Sequence, residues 1–196
     1  MESISTFDML KIGVGPSSSH TLGPWRAGEK WIKELEAAQL FDDVTHIKIY
    51  IYGSLSLTGK GHATDYAIML GLSGQDPEYI PIENIGLIVS RIKEEKQIEF
   101  NGKKTLPFNP EEDIVFKREF LPFHANGMMF EATLNSGKKK KATFYSIGGG
   151  FVVKEERKRA KKNIELFKTF PFPVTSGVEL LALCELENKS IAEIVL

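Results

Sequence analysis

The sequence predicts an α+β protein, with a mixed or antiparallel sheet of four to five strands and helices packed on one face. Three observations carry this. Asn101-Gly102 between apolar stretches, and Asn135-Ser136-Gly137 between alternating ones, are hairpin signals that require antiparallel neighbours. Ile47, Ile49 and Ile51 alternate with Lys48, Tyr50 and Tyr52, the pattern of a strand with one buried face. Helical spacing of apolar residues fills the gaps without a strict strand–helix alternation, and no Gly-x-Gly-x-x-Gly follows a strand, so a Rossmann unit is rejected.

Taken in order, residues 5–10 read as a short apolar turn. Trp25, Gly28, Ile32, Leu35 and Ala38 recur at helical spacing, placing both tryptophans in the core. After the strand at 47–52, Gly59-Lys60-Gly61 forms a turn, and residues 62–72 form a helix with His62 at its N-terminus. A loop at 73–81 leads to a helix over 82–95 with Ile85, Ile88, Val89 and Ile92 inward. The first hairpin follows, then a strand at 114–116. His46 starts a strand as a surface residue. Residues 128–134 and 142–147 make the second hairpin, with Lys138 to Lys141 solvated at its tip. A basic helix is expected over 154–162, and Phe170-Pro171-Phe172-Pro173 marks a boundary. Residues 176–186 give a short amphipathic helix that places Cys184 in a core. Ser190 and Glu193 form a capping box opening one more helix. The organisation expected is therefore a domain over 1–155, a basic and Pro-rich linker over 156–174, and the start of a further domain over 175–196.

Composition narrows the function classes. Of 196 residues, 42% are hydrophobic and 26% charged, with a net charge of -1 that offers nucleic acid no basic face. Cys184 is the single cysteine, so no intrachain disulfide can form. No apolar run approaches the roughly 20 residues of a membrane span, and the first residues read as no signal peptide; the expected location is the cytoplasm.

The stretch from Ile12 to Pro24 holds Ser17, Ser18, Ser19, His20 and Thr21 between glycines and prolines, ahead of a helix. Thr21 or Gly23 would be the N-cap, with Pro24 in the first turn. Backbone N–H groups and hydroxyls there suit an anion; the alternative is a turn whose serines only cap the helix. His62, at a second helix start, suits a general base because imidazole titrates near neutrality; the alternative is a capping histidine. The intervals separating His20, His62 and His124 carry no zinc-ligand signature. Lys60 has no accompanying pyridoxal motif.

Four blocks, Gly15-Pro16-Ser17-Ser18-Ser19-His20-Thr21, the run from Tyr52 to Asp65, His124-Ala125-Asn126-Gly127-Met128 and the run from Tyr145 to Phe151, resemble in order and spacing the β domain of iron–sulfur L-serine dehydratases (L-serine ammonia-lyases). That resemblance implies conversion of L-serine to pyruvate and ammonia. It makes His62 the catalytic base and Ser17, Ser18, Ser19, His20, Thr21, Thr58, Lys60, Gly61, Thr64, Asp65, His124, Asn126 and Ser146 the substrate-binding set, with Asp65 orienting His62 or biasing its helix. It implies a [4Fe-4S] cluster held by cysteines of an α domain or α subunit, and a homodimeric full enzyme. One cysteine cannot hold that cluster, so the chain is expected to be a portion of the enzyme, inactive alone. The same domain resembles the effector-binding domain of some D-3-phosphoglycerate dehydrogenases, which implies the competing reading of a small-anion or amino-acid sensor without chemistry.

Overall fold

The computed structural model describes residues 13–155, 172, 174 and 176–195. These fall into two compact units, one within Ile12–Glu155 and one that includes Glu156–Leu196. Along the first run α1 (Gly23–Ala37), β1 (Val44–Tyr52), α2 (Gly53–Thr58), α3 (Thr64–Leu72), α4 (Ile82–Glu95), β2 (Gln97–Phe100), β3 (Lys104–Pro107), α5 (Pro110–Asp113), β4 (Ile114–Lys117), β5 (Gly127–Leu134), β6 (Lys139–Gly148) and β7 (Phe151–Lys154).

Five strands form one sheet in the order β4-β1-β5-β6-β7, and β2 pairs with β3 in a separate hairpin. β1 is parallel to β4 and antiparallel to β5, so the sheet is mixed, as the sequence predicts. In the β2–β3 turn Asn101 and Gly102 take φ of 53° and 62°, the left-handed pair that a tight hairpin requires.

One face of the sheet carries the core. Ile47, Ile49 and Ile51 of β1 lie beside Met128, Phe130 and Ala132 of β5, all fully buried under Trp31, Ile32 and Leu35 of α1. The Trp31 ring packs 5.2 Å from Phe130 and 6.2 Å from Phe100. Residues 67–72 of α3 are buried on every side, as a helix with other elements around it must be. On the opposite face, buried Glu131 accepts from Lys139 and Lys141, each at 2.7 Å. Burial alone would raise its pKa, but the two ammonium groups outweigh that and hold it below the ordinary carboxylate range.

Several expectations are corrected. The N-cap of α1 is Leu22, because a π-helical turn, Ser18–Leu22, feeds directly into the helix. His62 does not begin α3; it ends a 3₁₀ turn, Gly59–His62, and Ala63 at φ 53° separates the two. His46 is half-buried and bonds Asp113 Oδ1 at 3.0 Å instead of facing solvent alone. Lys154 ends strand β7, and not a helix; the rest of the expected basic helix, and the turn at 5–10, lie outside the described residues. In the second unit, α6 (Gly177–Glu187) is capped by Ser176, and α7 (Ile191–Val195) opens with the Ser190–Glu193 capping box. Cys184 is half-exposed there, not a core residue, since α6 leaves Val178, Leu181 and Leu186 largely exposed.

Candidate active site

The site lies where β1 ends. Its last residues run into Gly53, whose φ of 54° turns the chain sharply; a Cβ there would sit 2.4 Å from Ala125 O. That turn starts α2, which carries Ser54 and Thr58, and the 3₁₀ turn then brings His62 back over them. The serine loop meets this segment from the other side.

The His20 ring is held at both nitrogens: Nδ1 lies 2.9 Å from Ser19 Oγ and Nε2 lies 3.2 Å from Ser54 Oγ. The His20 and His62 rings are 5.1 Å apart at 43°. Partial burial, and then the nearness of His62, push the His20 pKa below its ordinary value, so His20 is neutral at neutral pH. His62 Nδ1 donates to Thr58 O at 3.0 Å. A carbonyl only accepts, so this bond holds a proton on Nδ1, and the neutral ring then carries its lone pair on Nε2.

Behind the histidines the loop is pinned to the sheet. Ser146, fully buried on β6, donates Oγ–H to Ser19 O at 2.7 Å. Gly23 makes this approach possible, since a Cβ there would fall 1.9 Å from Ser146 Oγ. Asn126 then locks Ser146: Nδ2 donates to Ser146 O at 3.1 Å and the Ser146 amide donates to Asn126 O at 3.0 Å. The Asn126 amide donates to His124 Nδ1 at 3.1 Å, which places the proton of neutral His124 on Nε2. Strand alternation sends Tyr145 to the other face, where it packs against Phe123 at 4.9 Å.

The structure therefore joins Ser17, Ser19, His20, Thr21, Thr58, His62, Thr64, His124, Asn126 and Ser146 in one bonded network. Within the serine loop it differs from expectation. The His20 amide donates to Ser17 Oγ, those of Thr21 and Leu22 to Ser17 O, and that of Gly23 to Ser18 O. These N–H groups are used internally and do not face an anion, whereas Ser18 is exposed. Ser146 and Asn126 are buried behind the loop, so they support it. Gly61 is exposed; Lys60 is too, with its Nζ 5.4 Å from the Phe116 ring centroid. Asp65 sits in the first turn of α3, and the bonded partner of His62 Nδ1 is Thr58, not Asp65. Ser54 is the residue missed by sequence reasoning; it stands in the Tyr52 to Asp65 block, but nothing local in sequence ties it to His20.

Among the described residues no group of three or more His, Cys, Asp or Glu side chains could hold a metal ion. No helix of the described residues is long and apolar enough to cross a membrane.

The sequence profile of the serine dehydratase beta chain matches residues 5–157. The chain is 40% identical over 194 residues to the L-serine dehydratase TdcG of Escherichia coli, covering 98% of this chain and 42% of that protein. It is 38% identical over 197 residues to an L-serine dehydratase of Haemophilus influenzae, covering 98% and 42%. To that of Streptomyces coelicolor it is 38% identical over 195 residues, covering 98% and 43%. It thus spans less than half the length of these relatives. A match across most of the chain, with its motif blocks folded into one bonded network, shows that this chain belongs to the serine dehydratase beta chain family.

Proposed function

We propose that this chain supplies one half of a composite L-serine ammonia-lyase site, holding the substrate and removing its α-proton. The single observation that carries the reading is the Nδ1–Thr58 bond, which sets the tautomer of neutral His62 with its Nε2 lone pair beside the serine loop. Serine becomes pyruvate and ammonia by α,β-elimination of water, which returns to hydrolyse the resulting imine and release the ammonia. The elimination needs the carboxylate held, the α-proton taken and the β-hydroxyl released as water. Exposed Ser18, with the hydroxyls of Ser17 and Ser19, is the carboxylate-facing edge. His62 Nε2 takes the α-proton. Neutral His20 sets the other wall without adding a positive charge that would oppose protonation of His62.

The [4Fe-4S] cluster implied by the resemblance does not fit this chain's donors, because Cys184 is the single thiol and no other metal-ligating group gathers among the described residues. We assign the cluster to the α part of the enzyme. The sensing alternative requires no histidine with a directed lone pair.

The test is the chain assembled with the α part of a relative, assayed anaerobically for pyruvate from L-serine. The assembled enzyme should turn over and the chain alone should not. His62→Gln should lower kcat by roughly 10²–10⁴-fold with an unchanged melting temperature. Unchanged turnover with a lowered melting temperature would make His62 a structural residue and remove the reading.

A further inference from the structure

Two threonines in the site have no freedom to meet a substrate. Thr21 and Thr64 are 4% and 0% exposed. Thr21 Oγ1 donates to His62 O at 2.9 Å, and Thr64 Oγ1 donates to His20 O at 2.6 Å. Each threonine belongs to the segment of one histidine and reaches the carbonyl of the other. Thr21 follows His20 directly, while Thr64 stands two residues after His62, beyond the left-handed Ala63. A hydroxyl has one proton to donate, and here that proton is committed to a backbone carbonyl. Losing either bond would leave that carbonyl without the partner, a cost that holds the pair together.

We propose that Thr21 and Thr64 form a reciprocal clasp that sets the distance and tilt of the His20 and His62 rings, acting as positioning residues and not as substrate ligands. The segments carrying the two histidines are separated by α1, β1 and α2, and each is a single short turn, one π-helical and one 3₁₀. Their backbone ladders therefore do not fix the approach of one ring to the other. Two crossed side-chain bonds at both ends of the contact do, because sliding or rotating one segment breaks at least one of them. The inference rests on the dehydratase reading only for what the rings do, not for how they are placed.

The experiment uses the full 196-residue chain and nuclear magnetic resonance of its imidazoles. With centroids 5.1 Å apart, the rings are close enough for a nuclear Overhauser effect between them. Thr21→Val and Thr64→Val remove a hydroxyl while keeping shape; each should abolish the inter-ring effect and the Nδ1–H signature of His62. Thr21→Ser and Thr64→Ser keep the hydroxyl and should retain both signals. Survival of the inter-ring effect in a folded valine variant, or its loss in a folded serine variant, overturns the clasp. A second measurement needs no variant: in the wild-type chain both threonine hydroxyl protons should exchange slowly enough to give resonances. Rapid exchange of either would equally overturn it. Turnover is read in none of these, so a failed dehydratase reading would leave the result standing, and the reverse.

Discussion

The β2–β3 hairpin and the histidine site are both tight turns of chain, but they are held in different ways. In the hairpin, Lys103 N donates to Phe100 O across a two-residue turn, and Phe100 pairs with Lys104. The turn closes on itself within a few residues, and its distant bonds, from Asn101 N to Leu72 O and from Asn101 Nδ2 to Glu36, are additions to that closure. In the site, the bonds span 34 residues from His20 to Ser54, 41 from Thr21 to His62 and 127 from Ser19 to Ser146. Local chemistry therefore sets the first, while the second exists only because the sheet brings distant segments together. The difference predicts where substitution is absorbed and where it spreads.

Ser146→Ala should give the largest change. It removes the bond from fully buried Ser146 to Ser19 O and should cost about 1–3 kcal/mol in denaturant unfolding, with altered resonances of His20 across the sheet. Asn101→Gly at the hairpin keeps the left-handed backbone and gives up a bond to half-buried Glu36; it should stay within about 0.5 kcal/mol and leave His20 unmoved. Equal costs, or a hairpin change felt at His20, would break the contrast. The smallest effect expected is from pH. The His20 pKa is depressed on folding, so the unfolded chain binds its proton first; this stability is fully present above the ordinary histidine value and is lost as pH falls below it. Melting of wild type against His20→Gln between about pH 7.5 and about pH 5 should show the wild type losing more. Equal slopes would mean that His20 is as solvated folded as unfolded.

The same contrast explains what was legible in the sequence. Trp25, Trp31, Ile32 and the Asn101-Gly102 turn announce themselves because periodicity and turn chemistry act over short spans. β7 does not: Phe151 to Lys154 is a short edge strand ahead of a basic run, and pairing with β6 overrides the local helical pattern. α2 is another miss, since Gly53 to Thr58 is rich in glycine, serine and threonine, weak helix formers held by their packing. Motif resemblance located His20, His62, Asn126 and Ser146, but not their division of labour. Which hydroxyl meets a carbonyl, and which meets solvent, depends on segments that sequence alone does not juxtapose. Thr21 reads as a helix cap by its position, yet its hydroxyl crosses to His62.

The bond between Ser19 and Ser146 also bears on the order in which the molecule is built. It closes a loop covering most of the larger unit, and such closure is costly in chain entropy until intervening contacts have formed. β1, β5 and β6 must pair before Ser146 has anywhere to point. The serine loop, although it is synthesised before the strands, is thus expected to reach its native place among the last segments. An immature chain would hold its hairpins and much of its helix while its two histidines remained strangers.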